Sequence, residues 1–390
     1  MPMSEPDSLK PPGQLRDQLD AVVTFADEQL ENYCRSWPGD RSAPVWTEQG
    51  KWYRPATLWT DWTPGFFAGQ MWILQSLSQK SVWRERAEEY TNRLKHRRHD
   101  RDVHDLGFVF LSSFARWIEA LDEGDPKRAH LEDLVVTAAT VQSFRYNENG
   151  PDEFIYSFNG PQSLFIDIMM NVRLLFWATS RGAEPEVERR ALAHCRTSAK
   201  YLVRRNGREL GAEDGSVVHE AIFNTDPGRG EFRCLSTQQG YSPFTCWARG
   251  LAWALYGFAE AHRYTGDAEF LQVAELCADF YVRHTPANGV PYWDYGAPSI
   301  PAEPLDSSAA AVAGCGFHIL AQTGTAKAST YGAMCHRIAE TLTSPAFLAA
   351  GEEGLLRHGV YHRPNGWGVD ASVPWGDYFF LELVERLLKA

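Results

Sequence analysis

Trp62-Thr63-Pro64-Gly65-Phe66-Phe67-Ala68-Gly69 opens the stretch on which the fold turns. Thr63 is a helix-capping residue type, and Pro64 suits the first helical position, where a missing N–H costs nothing. The pattern predicts a helix over 64–80. Similar signals recur outward from it, at 14–35, 82–96, 106–122, 127–143, 161–180, 185–205, 244–264, 267–284, 306–322, 326–344 and 376–389. Asp105 precedes an apolar periodic run, as an N-cap does, and Asp306-Ser307-Ser308 opens the run from Ala309 to Leu320. Strand signals are short and sparse, with small hairpins expected at Val290 to Tyr295 and Leu355 to His362. No alternation of strands and helices points to a parallel sheet. Twelve helices in six sequential pairs predict an all-α fold, the (α/α)6 barrel, with loops at one end building a cleft. A helical solenoid is the alternative, but no fixed-period repeat is visible. No internal linker appears, so a flexible tail over 1–13 and a single domain over 14–390 are expected.

Composition narrows the function classes. Apolar residues make up 44% of the 390, enough for a large core, and aromatics 13%, with 14 Trp. An indole N–H needs a partner when buried, so many Trp residues suggest either an aromatic core or surfaces on which sugars stack. The net charge of −12 argues against a nucleic-acid binder, though not against an acidic substrate held by a few local Arg residues. Cys34, Cys195, Cys234, Cys246, Cys277, Cys315 and Cys335 are scattered and odd in number, a pattern of reduced thiols rather than a disulfide framework or zinc site. Met1 to Gln14 lacks the basic start and apolar core of a signal peptide. No apolar run is long enough to span a bilayer. A cytoplasmic protein without membrane contact is expected. No Gly-rich phosphate loop or G-x-S-x-G elbow is present, and no cofactor is expected.

Asp167 is the most informative residue. It lies in the apolar run Leu164-Phe165-Ile166-Asp167-Ile168-Met169-Met170, where lost hydration is expected to raise its pKa toward that of a general acid. A structural role is the competing reading, with Asn171 four residues on as a hydrogen-bond partner. Asp105, after His104, is either a helix cap or the second carboxylate of a catalytic pair whose pKa values are pushed apart. Arg249 and Trp253 share a helical face at i, i+4, and suit a pocket that clamps a carboxylate and stacks a ring; an Arg that reaches solvent is the alternative. Gln239, in a turn-like Gln-Gly-Tyr, is placed to offer its amide to hydroxyls. His219-Glu220 lacks the second ligand at helical spacing that a metal site needs. Trp59, Trp62, Trp367 and Trp375 fall near loops or helix starts, as cleft walls or as packing.

Taken together these segments resemble the unsaturated glucuronyl hydrolases, glycoside hydrolase family 88. The resemblance runs from about Trp59 to the C-terminus. It is carried by Trp62 to Gly69, His104-Asp105-Leu106-Gly107-Phe108, Ile166 to Asn171, Gln239-Gly240-Tyr241 and Trp247 to Trp253, with Asp306 to Ala310 and Trp375 to Phe380 in support. It implies an (α/α)6 barrel that acts after polysaccharide lyases, on the sugar with a C4=C5 double bond that they leave at the non-reducing end. It implies that Asp167 protonates C4 and helps water add at C5, so that the product opens and the aglycone leaves, with Asp105 as second aspartate. It further implies His104, His219, Gln239, Arg249, Trp253 and Trp62 as substrate-binding residues. Val369 to Pro374 departs from the Ser-richer loop associated with sulfated partners, which leaves other uronate oligosaccharides equally open.

Two rivals remain at this level. One is an unsaturated rhamnogalacturonyl hydrolase on the same fold, disfavoured by the presence of both Asp105 and Asp167. The other is a non-catalytic toroid that binds uronates, disfavoured by the cost of an idle carboxylate in an apolar run. A monomer or homodimer is expected.

Overall fold

In a computed structural model, the described residues are 9–36, 43–54, 61–205 and 213–390. The helices are α1 (Gly13–Ser36), α2 (Pro64–Ser78), α3 (Ser81–Arg93), α4 (Leu106–Phe110), α5 (Arg116–Glu119), α6 (Lys127–Ser143), α7 (Ile168–Thr179), α8 (Pro185–Tyr201), α9 (Ala248–Thr265), α10 (Ala268–His284), α11 (Ser307–Leu320), α12 (Ala328–Leu342) and α13 (Pro374–Lys389). A π-helical turn, Leu111–Ala115, joins α4 and α5 into one bent element. Packing closes an inner ring in the order α2, α4–α5, α7, α9, α11, α13 and back to α2. The helices between them in sequence lie outside. This is the (α/α)6 barrel.

The sequence sorts the two rings. Inner helices are apolar nearly all round: every residue of α11 is buried, and all of α9 from Ala248 to Ala261. Outer helices bury one stripe, as α1 does with Leu15, Leu19, Val22, Ala26, Leu30 and Tyr33. Trp72, Trp83, Trp293 and Trp375 are core, their indole N–H groups donating to Thr91, Asp27, Glu303 and Ser308. Packing, more than sugar stacking, accounts for the high Trp content.

The inner helices all begin at one end of the barrel. There, Trp62 precedes α2, Asp105 precedes α4, Asp167 precedes α7 and Trp247 precedes α9. Short strands cluster at the same end: β1 (Trp46–Glu48) with β2 (Lys51–Tyr53), β3 (Tyr146–Asn147) with β4 (Phe154–Ile155), and β5 (Ser163–Phe165), β6 (Glu220–Phe223) and β7 (Phe232–Ser236) as one antiparallel sheet. β8 (Gly359–His362) pairs with β9 (Trp367–Ala371). The opposite end holds a cavity of about 700 Å³ whose charges are largely paired among themselves, Arg116 with Glu385 and Arg386 with Glu382. Basic groups there meet the negative ends of the inner helices, whereas the end carrying the aspartates offers the positive ends.

Several expectations are corrected. Residues 163–165 are a strand rather than part of a helix over 161–180, because they pair with β6. Val290 to Tyr295 is no hairpin; it makes only the isolated bridges Trp247–Asp294 and Tyr292–Leu305. Leu355 to His362 is no hairpin within itself either; only Gly359–His362 is a strand, and it pairs with 367–371. Thr63 occupies the cap position without capping, since its hydroxyl donates to the Pro44 carbonyl at 3.1 Å. Of the stretch 1–13, residues 1–8 lie outside the described residues. Leu9 is fully buried and its carbonyl meets His336 Nε2 at 3.1 Å, so it is not tail. Among the described residues no helix is long and apolar enough to cross a membrane.

Gly107 sets the approach of α4 to α7. A Cβ there would lie 2.5 Å from Asn171 Cα and 2.8 Å from Asn171 O. Backbone atoms cannot step aside, so Gly107→Ala should force apart the helices that Asp105 and Asp167 precede. The expected cost is about 1–3 kcal/mol of unfolding free energy, measured by denaturant titration. An unchanged midpoint would show that the contact tolerates a methyl group.

Candidate active site

His104 is the hub. Its Nδ1 accepts the Phe158 N–H at 3.1 Å. An accepting nitrogen carries no proton, so the neutral ring is protonated on Nε2. That nitrogen lies 3.4 Å from Asp105 Oδ1 and 3.7 Å from Asp167 Oδ2. The Phe158 ring lies nearly parallel to the imidazole, 5.4 Å between centroids. One N–H is thus presented to two buried carboxylates.

Local structure frees both carboxylates for this. Asp105 stands at the start of α4 without capping it. The exposed amides of that first turn are taken by others: Gly107 N donates to Gln142 Oε1 at 3.1 Å, and Phe108 N to Asn171 Oδ1 at 2.9 Å. Asp167 is likewise the residue before α7, with no side-chain cap. Asn171 reaches its backbone carbonyl, at 3.3 Å, rather than its carboxylate. The buried atoms Asp167 Oδ1, His104 Nε2 and His219 Nε2 have no hydrogen-bond partner among the described residues, a polar edge that a ligand can complete.

The three-stranded sheet aligns the rest. β5 leads to Asp167, β6 starts just after His219, and β7 leads to Thr237 and Gln239, with Phe165 opposite Glu220 and Glu220 opposite Ser236. His219 Nδ1 accepts from Gln238 N at 3.1 Å and Gln239 N at 3.3 Å, which places its proton on Nε2. Burial pulls its pKa down to about 4, so it is a neutral donor. Glu220 is engaged structurally, accepting from Ser163 Oγ at 2.5 Å and Asn159 Nδ2 at 3.0 Å. Among the described residues no group of three or more His, Cys, Asp or Glu is arranged to hold a metal.

The carboxylates split, in the opposite sense to the sequence expectation. Burial raises Asp105 to about 6, with the His104 charge opposing and Asp167 assisting. Burial also pushes Asp167 upward, but the nearby His104 N–H and charge, with His219 behind them, hold it below the usual carboxylate range. The apolar run therefore does not raise Asp167, because its carboxylate faces two imidazoles. At His104 burial disfavours the charged ring, and Asp105 and then Asp167 outweigh that and raise its pKa. A second proton there must still displace the Phe158 N–H from Nδ1.

Arg249 is placed differently from an open clamp. It is 1% exposed and pairs with Asp306 at 3.1 Å. It also donates to the Val360 carbonyl, to Tyr361 O at 2.6 Å and to Gln239 Oε1 at 2.6 Å. Its guanidinium lies over Trp247 and Trp375, at 4.4 and 5.3 Å, and not over Trp253. Trp253 packs on Phe108 and Phe379. Asp306 in turn caps α11 through Ser308 N and Ala309 N. Arg249 thus rivets β8 and Gln239 to the barrel, and fixes the Gln239 amide with its oxygen inward.

The cleft is lined by Trp62, His104, Asp105, Asp167, Gln239, Arg249 and Trp253, together with Phe108, Phe158, Trp247 and Tyr361. The first seven are sequence-expected residues; His219 stands behind, ring to ring with Trp247 at 4.8 Å. Trp375 is wholly buried, Trp367 half-buried, and Trp59 lies outside the described residues. Sequence reasoning missed Phe158 and Tyr361, which come from a loop and a hairpin. The only signal for Tyr361 was its place in the hairpin expected at 355–362.

No family model matches the chain. An unsaturated glucuronyl hydrolase from Formosa agariphila is 32% identical over 335 residues, covering 84% of this chain and 80% of that protein. The chain belongs to the unsaturated glucuronyl hydrolase family. A second member, from Bacillus sp. strain GL1, is 34% identical over 84% of this chain and 86% of its own. The crystal structure of an unsaturated glucuronyl hydrolase specific for heparin superposes with a TM-score of 0.85, at 28% identity, covering 96% of this chain and 97% of that one.

The raised Asp105 has a consequence for stability. Its folded pKa, about 6, lies above the ordinary 3.8. Such a carboxyl is a source of stability below the ordinary value that is lost as pH rises through about 6, worth on the order of 3 kcal/mol. Asp105→Asn removes this loss. Its stability relative to wild type should improve between pH 4 and pH 8, by about 1–3 kcal/mol, in unfolding titrations at the two pH values. A difference independent of pH would contradict the raised pKa.

Proposed function

We propose that the protein removes a 4,5-unsaturated glucuronic acid from the non-reducing end of lyase-generated oligosaccharides, by hydrating the C4=C5 vinyl ether. The observation that carries this reading is the pair Asp105 and Asp167 flanking the His104 Nε2–H at 3.4 and 3.7 Å. Two such carboxylates serve acid–base chemistry in which a proton is given and then taken back. A toroid that merely bound uronates would have no use for them, since their burial is costly. The positive ends of the inner helices favour an acidic substrate at this end of the barrel.

In the empty site Asp167 is the anion and Asp105 the more basic partner. The substrate brings a carboxylate of its own. A like charge beside Asp167 raises its affinity for a proton, so that the pair's single proton becomes available there. Asp167 then gives that proton to C4, and positive charge develops at C5 and the ring oxygen, facing the carboxylates. Water attacks C5 while Asp167, an anion again, takes its proton. The hemiketal so formed opens and releases the aglycone as an alcohol. His219 Nε2–H and the Gln239 amide act as hydrogen-bond donors to the sugar, and Trp62 and Tyr361 form its walls. Arg249 acts through Gln239 and the hairpin it holds.

Asp167→Asn should lower kcat by about three orders of magnitude while substrate still binds, followed as loss of the double-bond absorbance with a lyase-generated disaccharide. Wild type and variant equally inactive on every unsaturated uronide tested would overturn the assignment. The pair needs one proton, so kcat/KM should fall as pH rises through about 6, the value to which burial lifts Asp105. A profile flat from about pH 5 to 8 would show that this proton is not used.

A further inference from the structure

Arg145 is a buried cation outside the cleft, 7% exposed, and none of the ion pairs among the described residues includes it. Its donors go to backbone carbonyls instead: Arg101 O, Tyr156 O at 3.2 Å and Ser157 O at 2.6 Å. It also lies over the Tyr156 ring at 4.6 Å. An unpaired guanidinium is costly to bury, and burial pulls the Arg145 pKa down. Its position gives a reason for the cost. Arg101 stands three residues before His104, and Ser157 immediately before Phe158. Arg145 therefore holds together the two segments whose following residues meet in the bond from Phe158 N to His104 Nδ1. Other contacts fix the loop from its far side, Ser157 Oγ to Ser163 Oγ at 2.6 Å and Asn159 N to Ser157 Oγ at 3.1 Å, but none of these reaches the His104 segment.

We propose that Arg145 is a positioning residue that, by bracketing Arg101 and Ser157, keeps the Phe158 N–H on His104 Nδ1 and so confines the His104 proton to Nε2, between Asp105 and Asp167. Its significance for turnover rests on the reaction assigned above; the tautomer itself does not. The planar fork matters as well as the charge, because one ammonium cannot span three carbonyls arranged around a guanidinium. The groups facing His104 are Asp105, Asp167, the Phe158 N–H and the rings of Phe158 and Phe165, with Arg145 acting at longer range.

The test is nitrogen NMR of ring-labelled histidine in the full chain, alongside kinetics, for wild type, Arg145→Lys and Arg145→Met. Wild type should show the neutral His104 ring, at a pH above that at which it takes a second proton, protonated on Nε2 alone. In Arg145→Met the neutral ring should carry its proton partly on Nδ1 at the same pH, kcat should fall with KM little changed, and the pH profile of kcat should shift. Arg145→Lys should restore neither the tautomer nor the profile. A neutral wild-type His104 ring protonated on Nδ1 would overturn the proposal whether or not the variants fold. So would an unchanged tautomer in a folded Arg145→Met, or full rescue by lysine. A wild type with the expected tautomer but no activity on any unsaturated uronide would sink the reaction assignment and still support the role of Arg145.

Discussion

The site depends on one hydrogen bond that involves no catalytic group as donor: the Phe158 N–H to His104 Nδ1. It decides which edge of the imidazole carries the proton. That edge is the one between Asp105 and Asp167, and it makes the two carboxylates unequal: Asp167 is held as an anion, while Asp105 is left with the burden of burial. Without that bond the ring has no fixed orientation of charge, and the pair loses its asymmetry. The asymmetry has a stability cost at neutral pH, because the buried Asp105 must ionise there.

Around this hub the barrel supplies direction. Helices of the inner ring start at the cleft, so the side chains before their first turns converge there, and so do the positive ends of their dipoles. The amides of the first turn of α4 are satisfied by Gln142 and Asn171, which is what releases Asp105 from capping. At α11 the opposite choice is made. Asp306 both caps the helix and pairs with Arg249, and that buried pair fastens Gln239 and the hairpin bearing Tyr361. Two aspartates at equivalent places in the ring are thus placed differently, Asp105 left free of its helix and Asp306 used in construction.

Much of the ring was legible in the sequence because inner helices are apolar on every side and outer ones carry a single stripe. The range expected for α6 is reproduced residue for residue, and α10 and α12 start within two residues of expectation. The region before Asp167 misled, because an unbroken apolar run fits a buried strand as well as a helix. Only pairing with β6, more than fifty residues away, decides for the strand. The same distance in sequence hid the environment of Asp167. Its local window shows apolar neighbours and therefore a raised pKa, while the imidazoles of His104 and His219 arrive from other segments and reverse the direction. Arg249 misled in a similar way: its helical face was visible, but the carbonyls of Val360 and Tyr361 that occupy it were not.

The central claim is that the carboxylate pair adds water across a carbon–carbon double bond instead of cleaving at the anomeric carbon. Turnover of a lyase-generated disaccharide in water labelled with both deuterium and heavy oxygen tests this most directly. The account predicts deuterium at C4 and heavy oxygen at C5 of the released uronate. Heavy oxygen at C1, with no deuterium at C4, would contradict it.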